Sequence, residues 1–230
     1  MYARFIKRCL DFLLALLAFL VLLPLLLVLA VVGAIVMGGN PFFTQLRPGR
    51  GEKIFKLIKF RSMTNKKGPD GRLLPDSERL VPWGRFLRAT SLDELPSLVN
   101  ILRGDLAVVG PRPQLVRDMV FMTPEQRERH SVRPGLTGLA QCSGRNAMTW
   151  DRKFEYDLEY IRSGITFWGD LKIVCRTFVR VLRRDGISAE GMDTAEDLGD
   201  SLLAAGRVDR AEYEQKLAEA EKLTAAAAKK

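Results

Sequence analysis

The sequence predicts an α+β protein that is mostly helical, with an N-terminal re-entrant membrane helix, a small β-hairpin and amphipathic interfacial helices around a compact core. Three observations predict this class. An almost wholly apolar run covers residues 10–37, two short β-rich segments lie within residues 42–63, and residues 151–184 interleave apolar and charged side chains at helical spacing. We expect three regions: a membrane anchor (1–38), a globular domain (39–190) and a C-terminal helical tail (191–230).

Composition narrows the range of partners. The 230 residues carry a formal net charge of +9 and are 47% hydrophobic, which suits one compact domain with an anchor and a tail. A basic balance favours nucleic acid, an anionic membrane face or a phosphate-bearing substrate. Because the positive charges flank an apolar anchor and lack interleaved aromatic residues, we expect no nucleic-acid partner.

Cysteine and histidine usage excludes several chemistries. Cys9, Cys142 and Cys175 are odd in number and widely spaced, so we expect reduced, structural thiols. His130 is the single histidine, which argues against Ser-His-Asp triads and histidine-based zinc sites. Nucleophilic and acid–base roles therefore fall to carboxylates, Lys, Tyr or Cys.

The apolar run is the first element of the chain. As one straight helix, its 28 residues reach roughly 42 Å, more than a bilayer core needs. Pro24 lies near the midpoint and removes a backbone hydrogen bond, which predicts a break into two arms of about 13 residues, each too short to cross. Basic residues flank both ends, so the positive-inside bias has no preferred sign. These observations favour a re-entrant helix, with a simple transmembrane span as the alternative.

A β-hairpin and a loop are predicted next. In residues 42–63, FFTQ and KIFKLIKF are short and β-rich and are separated by RPGRG, the pattern of two strands around a turn. Residues 64–82 are polar and rich in Pro and Gly, which indicates a loop.

An acidic pair, Asp93 and Glu94, follows in the segment SLDELPSL. Ser91 and Glu94 have capping-box spacing, so the pair could simply begin a helix and complement its dipole. Cations gathered around a carboxylate also suit a pyrophosphate. Four cations lie nearby along the chain: Lys59, Arg88, Arg103 and Arg112. The residues alone leave both interpretations of Asp93 open.

The remaining segments carry weaker signals. HSVRPGLTGLAQCSGRN (130–146) is rich in glycine and contains Arg133 and Arg145, as an anion-binding turn or an ordinary loop would. Residues 151–164 and 170–184 predict amphipathic helices that either pack on the core or lie on an anionic leaflet. The tail predicts two short helices around Gly206, and we expect no catalytic role for it.

Three motifs carry a family resemblance. In order and spacing, KFRSM (59–63), LRATSLDELPSLVNILRGDLAVVGPRP (87–113) and RPGLTGLAQCSGRN (133–146), with the apolar arm, resemble the bacterial sugar transferase family of monotopic phosphoglycosyl transferases. The chain is most similar to minimal members that start N-linked protein glycan assembly, of the undecaprenyl phosphate N,N′-diacetylbacillosamine 1-phosphate transferase type. Such members lie on the cytoplasmic face of the bacterial inner membrane, with both ends of the anchor cytoplasmic. Their anchor breaks at a Ser-Pro or similar pair, which here is Leu23-Pro24.

The resemblance implies a reaction and roles for individual residues. Asp93 would attack the β-phosphate of a UDP-sugar, release UMP and hold a phosphosugar that polyprenol phosphate then takes, in ping-pong order. Glu94 would assist, and Asp93 and Glu94 would place Mg²⁺. Phosphate contacts are expected from Lys59, Arg88, Arg112 and Arg145, and also from Arg133 and Pro134. Inner-membrane lipids and downstream glycosyltransferases are the other expected partners.

Two alternatives and the choice of sugar stay open at this point. The acidic pair could cap a helix in a membrane-anchored scaffold, or Asp93 could hold magnesium while the lipid phosphate attacks directly. The resemblance suggests UDP-N,N′-diacetylbacillosamine as the donor, with UDP-GlcNAc, UDP-GalNAc, UDP-galactose and UDP-glucose as alternatives.

Overall fold

The computed structural model describes residues 2–144, 148–183 and 196–229. Over these ranges the chain is mostly helical, with one antiparallel and one parallel two-stranded sheet, so the predicted α+β class is confirmed. The longer helices are α1 (Lys7–Met37), α3 (Pro82–Ala89), α8 (Trp150–Arg162), α9 (Phe167–Arg183), α10 (Leu198–Ala204) and α11 (Arg210–Ala228). The short helices are α2 (Asp76–Arg79), α4 (Leu98–Arg103), α5 (Val116–Met119), α6 (Pro124–Arg127) and α7 (Leu139–Ser143). The strands are β1 (Phe42–Pro48), β2 (Ile54–Phe60), β3 (Ala107–Val109) and β4 (Gly135–Thr137).

Helix α1 is a single element of 31 residues that continues through Pro24. The predicted break at this residue is therefore not observed, although the proline still cannot donate a hydrogen bond to the carbonyl of Leu20. The helix ends at Gly38, where a φ of 65° gives the left-handed conformation typical of a helix C-terminus. Its length and apolar composition satisfy the requirement for crossing a membrane.

Both halves of α1 pack against the globular part of the chain. Near its start, Arg8 donates to two carbonyls of α4 at 2.6 and 3.0 Å, and Ala15 is buried against β2 and α4. Beyond the proline, Leu26 and Leu29 are buried against β2 and α3, and Gly33 lies against α3. At about 100° per residue, these buried positions fall on one face of a single helix. The opposite face is apolar and exposed, and includes Leu13, Leu17, Leu20, Val21, Val28, Val31 and Ile35.

Strands β1 and β2 form the predicted hairpin, with Phe42 opposite Phe60. Strand β2 then supports the segment that precedes α4. The Ser97 hydroxyl donates to the carbonyl of Ile58 (2.7 Å), and the Asn100 amide oxygen accepts from the N–H of Ile58 (3.0 Å). Ser97 and Asn100 are both fully buried, so these bonds fix the position of the acidic pair relative to β2.

Helices α8 and α9 differ in how they pack on the core. Helix α8 buries Phe154 and Tyr160 in the core. Helix α9 instead leaves an apolar face exposed, formed by Phe167, Trp168, Leu171, Val174, Phe178 and Val179. Asp170, in the first turn of α9, accepts hydrogen bonds from Tyr160 (2.7 Å) and Lys7 (2.7 Å). The start of α9 is thereby tied to the start of α1.

The tail forms two helices around Gly206, as predicted, although α11 is a long helix of 19 residues. Leu198, Val208 and Ala220 are buried in a cluster with residues of α5 and α8. The tail is thus packed onto the globular part of the chain. The predicted boundary between residues 190 and 191 lies outside the described residues.

Candidate active site

The acidic pair lies in a 3-10 turn between α3 and α4. Ser91, the predicted helix cap, has a left-handed conformation with a φ of 56°, and its side chain makes no capping hydrogen bond. The α-helix begins only at Leu98, because Pro96 lacks an N–H and restricts the residue before it. The predicted capping box is wrong. The carboxylate of Glu94 is consequently directed to other partners.

Two cations hold Glu94. Its Oε1 accepts from Nζ of Lys59 (2.7 Å) and from Nη2 of Arg112 (2.9 Å). Burial alone would raise the pKa of Glu94, but the positive charges of Lys59 and Arg112 hold that pKa well below its usual range. Glu94 is therefore an ionised anchor for two phosphate-seeking side chains.

Asp93 has the opposite environment. Burial raises the pKa of its carboxyl, and the negative charge of Glu94 adds to that rise, while Lys59, Arg112 and Arg88 lower it. Across residues 2–144, 148–183 and 196–229, no hydrogen bond to the Asp93 carboxylate is found. The side chain is partly exposed, so a substrate can reach it. A carboxylate with no bonding partner among three cations is suited to attack an electrophilic phosphorus atom.

Arg88 reaches the site from α3. Its Nε donates to the hydroxyl of Ser62 at 3.0 Å. The helix can approach this closely because residue 84 is glycine: a Cβ there would lie 1.8 Å from the carbonyl oxygen of Ser62. The motif KFRSM thus supplies Lys59 to Glu94 and Ser62 to Arg88.

Arg112 is carried by the loop of residues 110–115, which we call the Arg112 loop. The carbonyl of Arg112 accepts from Nη2 of Arg129 (2.7 Å), and the carbonyl of Pro113 accepts from Nη1 of Arg47 (3.2 Å). Arg129 is fully buried and is paired with Asp157 at 2.6 Å. These bonds fix the backbone from which Arg112 extends.

The sequence prediction missed Arg47 as a residue of this site. It lines a cleft together with Lys59, Glu94 and Arg112. Burial is the main cause that lowers the pKa of Arg47 to about 10, and the nearby positive charge of Arg112 is the second. The hairpin pattern could have identified Arg47. Opposite residues of an antiparallel pair lie on the same face of the sheet, and Arg47 is opposite Phe55. Alternate residues of a strand share a face, so Arg47 lies on the same face as Lys59.

The structure does not bring every expected phosphate ligand to the acidic pair. Nε of Arg133 donates to the carbonyl of Gly104 (3.0 Å) at the end of α4, and the carbonyl of Pro134 accepts from the N–H of Ala107 (2.8 Å). Arg133 and Pro134 therefore have structural partners away from Asp93. Arg145 lies outside the described residues. Lys59, Arg88 and Arg112 are the predicted cations that surround the pair.

The acidic pair offers few ligands to a metal ion. The described residues contain no group of three or more His, Cys, Asp or Glu side chains that could hold a metal ion. Asp93 and the second oxygen of Glu94 offer two ligands at most, because two cations occupy Oε1 of Glu94. Mg²⁺ in phosphoryl-transfer sites commonly takes one or two carboxylates and completes its shell with phosphate and water. The pair fits a magnesium ion that binds together with a diphosphate.

A long apolar helix and an exposed apolar face on α9 are typical of membrane-associated proteins, and a carboxylate pair among cations is suited to a phosphorylated ligand. The profile of the family described as bacterial sugar transferase matches residues 2–184. The chain belongs to this family and is a transferase.

Several relatives align with most of this chain. An uncharacterized sugar transferase, EpsL, of Bacillus subtilis is 48% identical over 70% of this chain and 79% of its own length. UDP-glucose:undecaprenyl-phosphate glucose-1-phosphate transferase of Caulobacter vibrioides is 39% identical over 78% of this chain and 70% of its own length. Undecaprenyl-phosphate galactose phosphotransferase of Salmonella typhimurium is 34% identical over 80% of this chain but only 42% of its own length.

Proposed function

We propose that this protein transfers a phosphosugar from a UDP-sugar to a polyprenol phosphate, undecaprenyl phosphate, releasing UMP and forming a polyprenol diphosphate-sugar. The observation that carries the proposal is the contrast within the acidic pair. Glu94 is held by Lys59 and Arg112, while the Asp93 carboxylate beside it accepts no hydrogen bond from the described residues. The names of the Caulobacter and Salmonella relatives support the class of donor and acceptor.

The first half-reaction is a displacement at the β-phosphorus of the donor. An Oδ of Asp93 forms a bond to that phosphorus, and the bond to the oxygen bridging the α-phosphate breaks, so that UMP leaves with the electron pair. Lys59, Arg112 and Arg88 would stabilise the negative charge on the phosphoryl oxygens and on the leaving group. When bound through Asp93 and Glu94, Mg²⁺ would neutralise further charge on the diphosphate.

The second half-reaction regenerates the enzyme. An oxygen of the lipid phosphate attacks the same phosphorus, and Asp93 leaves as a carboxylate. The acyl phosphate keeps a high transfer potential, so this step is feasible without another energy source. The two displacements together give ping-pong kinetics. The product would be the substrate of glycosyltransferases that extend the glycan, which makes this reaction the first membrane step of glycoconjugate assembly.

We propose attachment to the cytoplasmic face of the bacterial inner membrane, with both ends of α1 on that face. The globular part of the chain packs along α1 before and after Pro24, so a helix crossing the bilayer would carry its packing partners into the hydrocarbon. The exposed apolar faces of α1 and α9 instead offer lateral contact with lipid. This supports a monotopic arrangement without requiring a break in α1.

The identity of the donor sugar is the most detailed part of the proposed function. The resemblance to enzymes of N-linked glycan assembly suggests UDP-N,N′-diacetylbacillosamine. The names of the relatives given above specify glucose and galactose. A panel of these three UDP-sugars with UDP-GlcNAc and UDP-GalNAc, assayed for UMP release with undecaprenyl phosphate and Mg²⁺, identifies the donor by the highest kcat/KM.

The test of the reaction compares Asp93→Asn with Asp70→Asn. Asp70 is an exposed loop residue and provides the matched control. We expect Asp93→Asn to lower UMP release at least about a thousandfold while leaving the protein in the membrane fraction, because the nucleophile alone is changed. Asp70→Asn should stay near the wild-type rate. Wild-type UMP release by Asp93→Asn would refute the proposed role.

A further inference from the structure

The C-terminal hairpin of α10 and α11 lies beyond the segment that matches the family, which ends at residue 184. It nevertheless shares a hydrophobic cluster with α5. Leu198 and Ala220 of the hairpin are buried with Val116 and Met119 of α5 and with Phe121, which follows it. The contact is close at Gly199, where a Cβ would lie 2.6 Å from the ring of Phe121. The hairpin is therefore built into the core of this protein.

Polar contacts of α5 join the hairpin as well. Nη1 of Arg117 pairs with Asp197 at 2.8 Å, and Nη2 pairs with Asp200 at 3.3 Å. Oδ1 of Asp118, which is 2% exposed, accepts from the N–H of Leu198 at 3.0 Å. Two consecutive residues of α5 thus have partners in the tail.

Asp118 also reaches towards the site. Its second oxygen, Oδ2, accepts from the N–H of Leu115 at 3.0 Å. Leu115 ends the Arg112 loop. The start of this loop is held on β4, through the N–H of Gly110 and the carbonyl of Pro111, and its middle is held at the carbonyls of Arg112 and Pro113. One buried carboxylate therefore joins the hairpin to the loop that holds Arg112 against Glu94. Losing either hydrogen bond of Asp118 would leave a buried polar group unsatisfied. A displacement of the hairpin is therefore expected to move Asp118 and, with it, the N–H of Leu115.

We propose that the C-terminal hairpin is a positioning element for the transfer site. By holding Arg117 and Asp118, it fixes the end of the Arg112 loop, and so keeps Arg112 on Glu94 beside the donor diphosphate. The kinetic part of this inference rests on the proposed function, whereas the structural coupling between hairpin and loop does not.

The test uses the full chain in lipid nanodiscs. The double variant Asp197→Asn with Asp200→Asn removes the carboxylate partners of Arg117 without removing the apolar contacts. The control is Glu214→Gln, which breaks the exposed pair of Glu214 with Arg210 (2.7 Å) on the outer side of the same hairpin. Two quantities are measured: hydrogen exchange of the Leu115 amide, and kcat/KM for the UDP-sugar and for the lipid phosphate.

We expect faster hydrogen exchange at the Leu115 amide in the double variant. We also expect kcat/KM for the donor to fall about three- to tenfold, because partly exposed ion pairs contribute energies of that size. The value for the lipid phosphate should fall less, because the UMP leaving group that Arg112 would stabilise departs only in the first half-reaction. A smaller folded fraction would instead lower both values equally. Glu214→Gln should match wild type in both measurements.

Three results would overturn the inference. Unchanged exchange at Leu115 would show that the hairpin does not hold the loop. Faster exchange with unchanged donor kinetics would show that the coupling has no role at the site, and equal loss for both substrates would show a purely structural effect. If the wild-type protein releases no UMP from any donor, the proposed function fails, and the exchange measurement still decides whether the hairpin holds the loop.

Discussion

Asp93 and Glu94 are neighbours in sequence with different ionisation behaviour. Burial raises the pKa of the Asp93 carboxyl, while Lys59 and Arg112 bring the pKa of Glu94 well below its usual range. Adjacent carboxyl groups whose pKa values are moved apart by their surroundings commonly divide the roles of an active site. In the proposed mechanism, Asp93 is the nucleophile and Glu94 anchors the charges of Lys59 and Arg112.

Replacing Lys59 by Gln should change how UMP release depends on pH. Lys59 lowers the pKa of Asp93, so its removal raises that pKa further. A raised pKa leaves more Asp93 protonated at acidic pH, and only the ionised form attacks phosphorus. The acid limb of UMP release should therefore move to higher pH, measured in single turnovers with donor alone. Lys56→Gln, an exposed position of β2, is the control, and an unmoved limb in Lys59→Gln would contradict the assignment.

Arg112→Gln tests the second cation on Glu94. The variant leaves Glu94 with Lys59 alone and removes a charged donor from the expected position of the diphosphate. We expect kcat/KM for the UDP-sugar to fall about 10- to 100-fold, the usual cost of losing one charged contact to a phosphoryl group. Arg103→Gln, at an exposed position of α4, should stay within about twofold of wild type by the same steady-state assay. Equal losses in both variants would indicate a general effect of charge.

At the scale of elements, the hairpin was predictable because two β-rich segments and a Pro-Gly turn are local signals. The helix cap at Ser91 was not, since Pro96 two residues past Glu94 prevents the α-helix that the capping box needs. Pro24 was expected to break α1, but both halves of the helix pack against the domain on one face, and this tertiary packing keeps the helix continuous. Local patterns identified the elements, and long-range contacts decided how they end.

Gly84→Ala tests the packing of α3 on the segment after β2. The added Cβ would lie 1.8 Å from the carbonyl oxygen of Ser62, a backbone atom, so α3 must move and take Arg88 with it. We expect a loss of about 1–3 kcal/mol in the free energy of unfolding, measured by denaturant titration in detergent. Arg85→Ala, at an exposed position of the same helix, should change this free energy by less than about 0.5 kcal/mol. Equal stability of Gly84→Ala and wild type would contradict the close approach.

At the scale of the molecule, the sequence predicted the acidic pair and the cations around it because they are close along the chain. The contribution of the tail depends on residues far apart in sequence. Asp118 and Leu198, for example, are joined by a hydrogen bond across 80 positions. A single sequence carries no signal for such a pair, so the tail was expected to have no catalytic role.

The membrane arrangement predicts labelling on one side only. Single cysteines at Ala3 and Gly39, in a chain whose Cys9, Cys142 and Cys175 are replaced by Ser, mark the two ends of α1. Both should resist a membrane-impermeant thiol reagent in intact cells and react after permeabilisation, because the globular part holds both ends on one face. Labelling of one end alone in intact cells would show that α1 spans the membrane.

The proposed mechanism requires a covalent phosphosugar on Asp93, and intact-protein mass spectrometry detects this intermediate directly. The wild-type protein is incubated with the UDP-sugar and Mg²⁺, without any lipid phosphate, and peptide mapping locates the added mass. We predict a mass increase of one phosphosugar on Asp93 with about one UMP released per protein molecule, as a ping-pong mechanism requires. Release of UMP only when lipid phosphate is present, with no adduct on the protein, would contradict the mechanism and favour direct attack by the lipid.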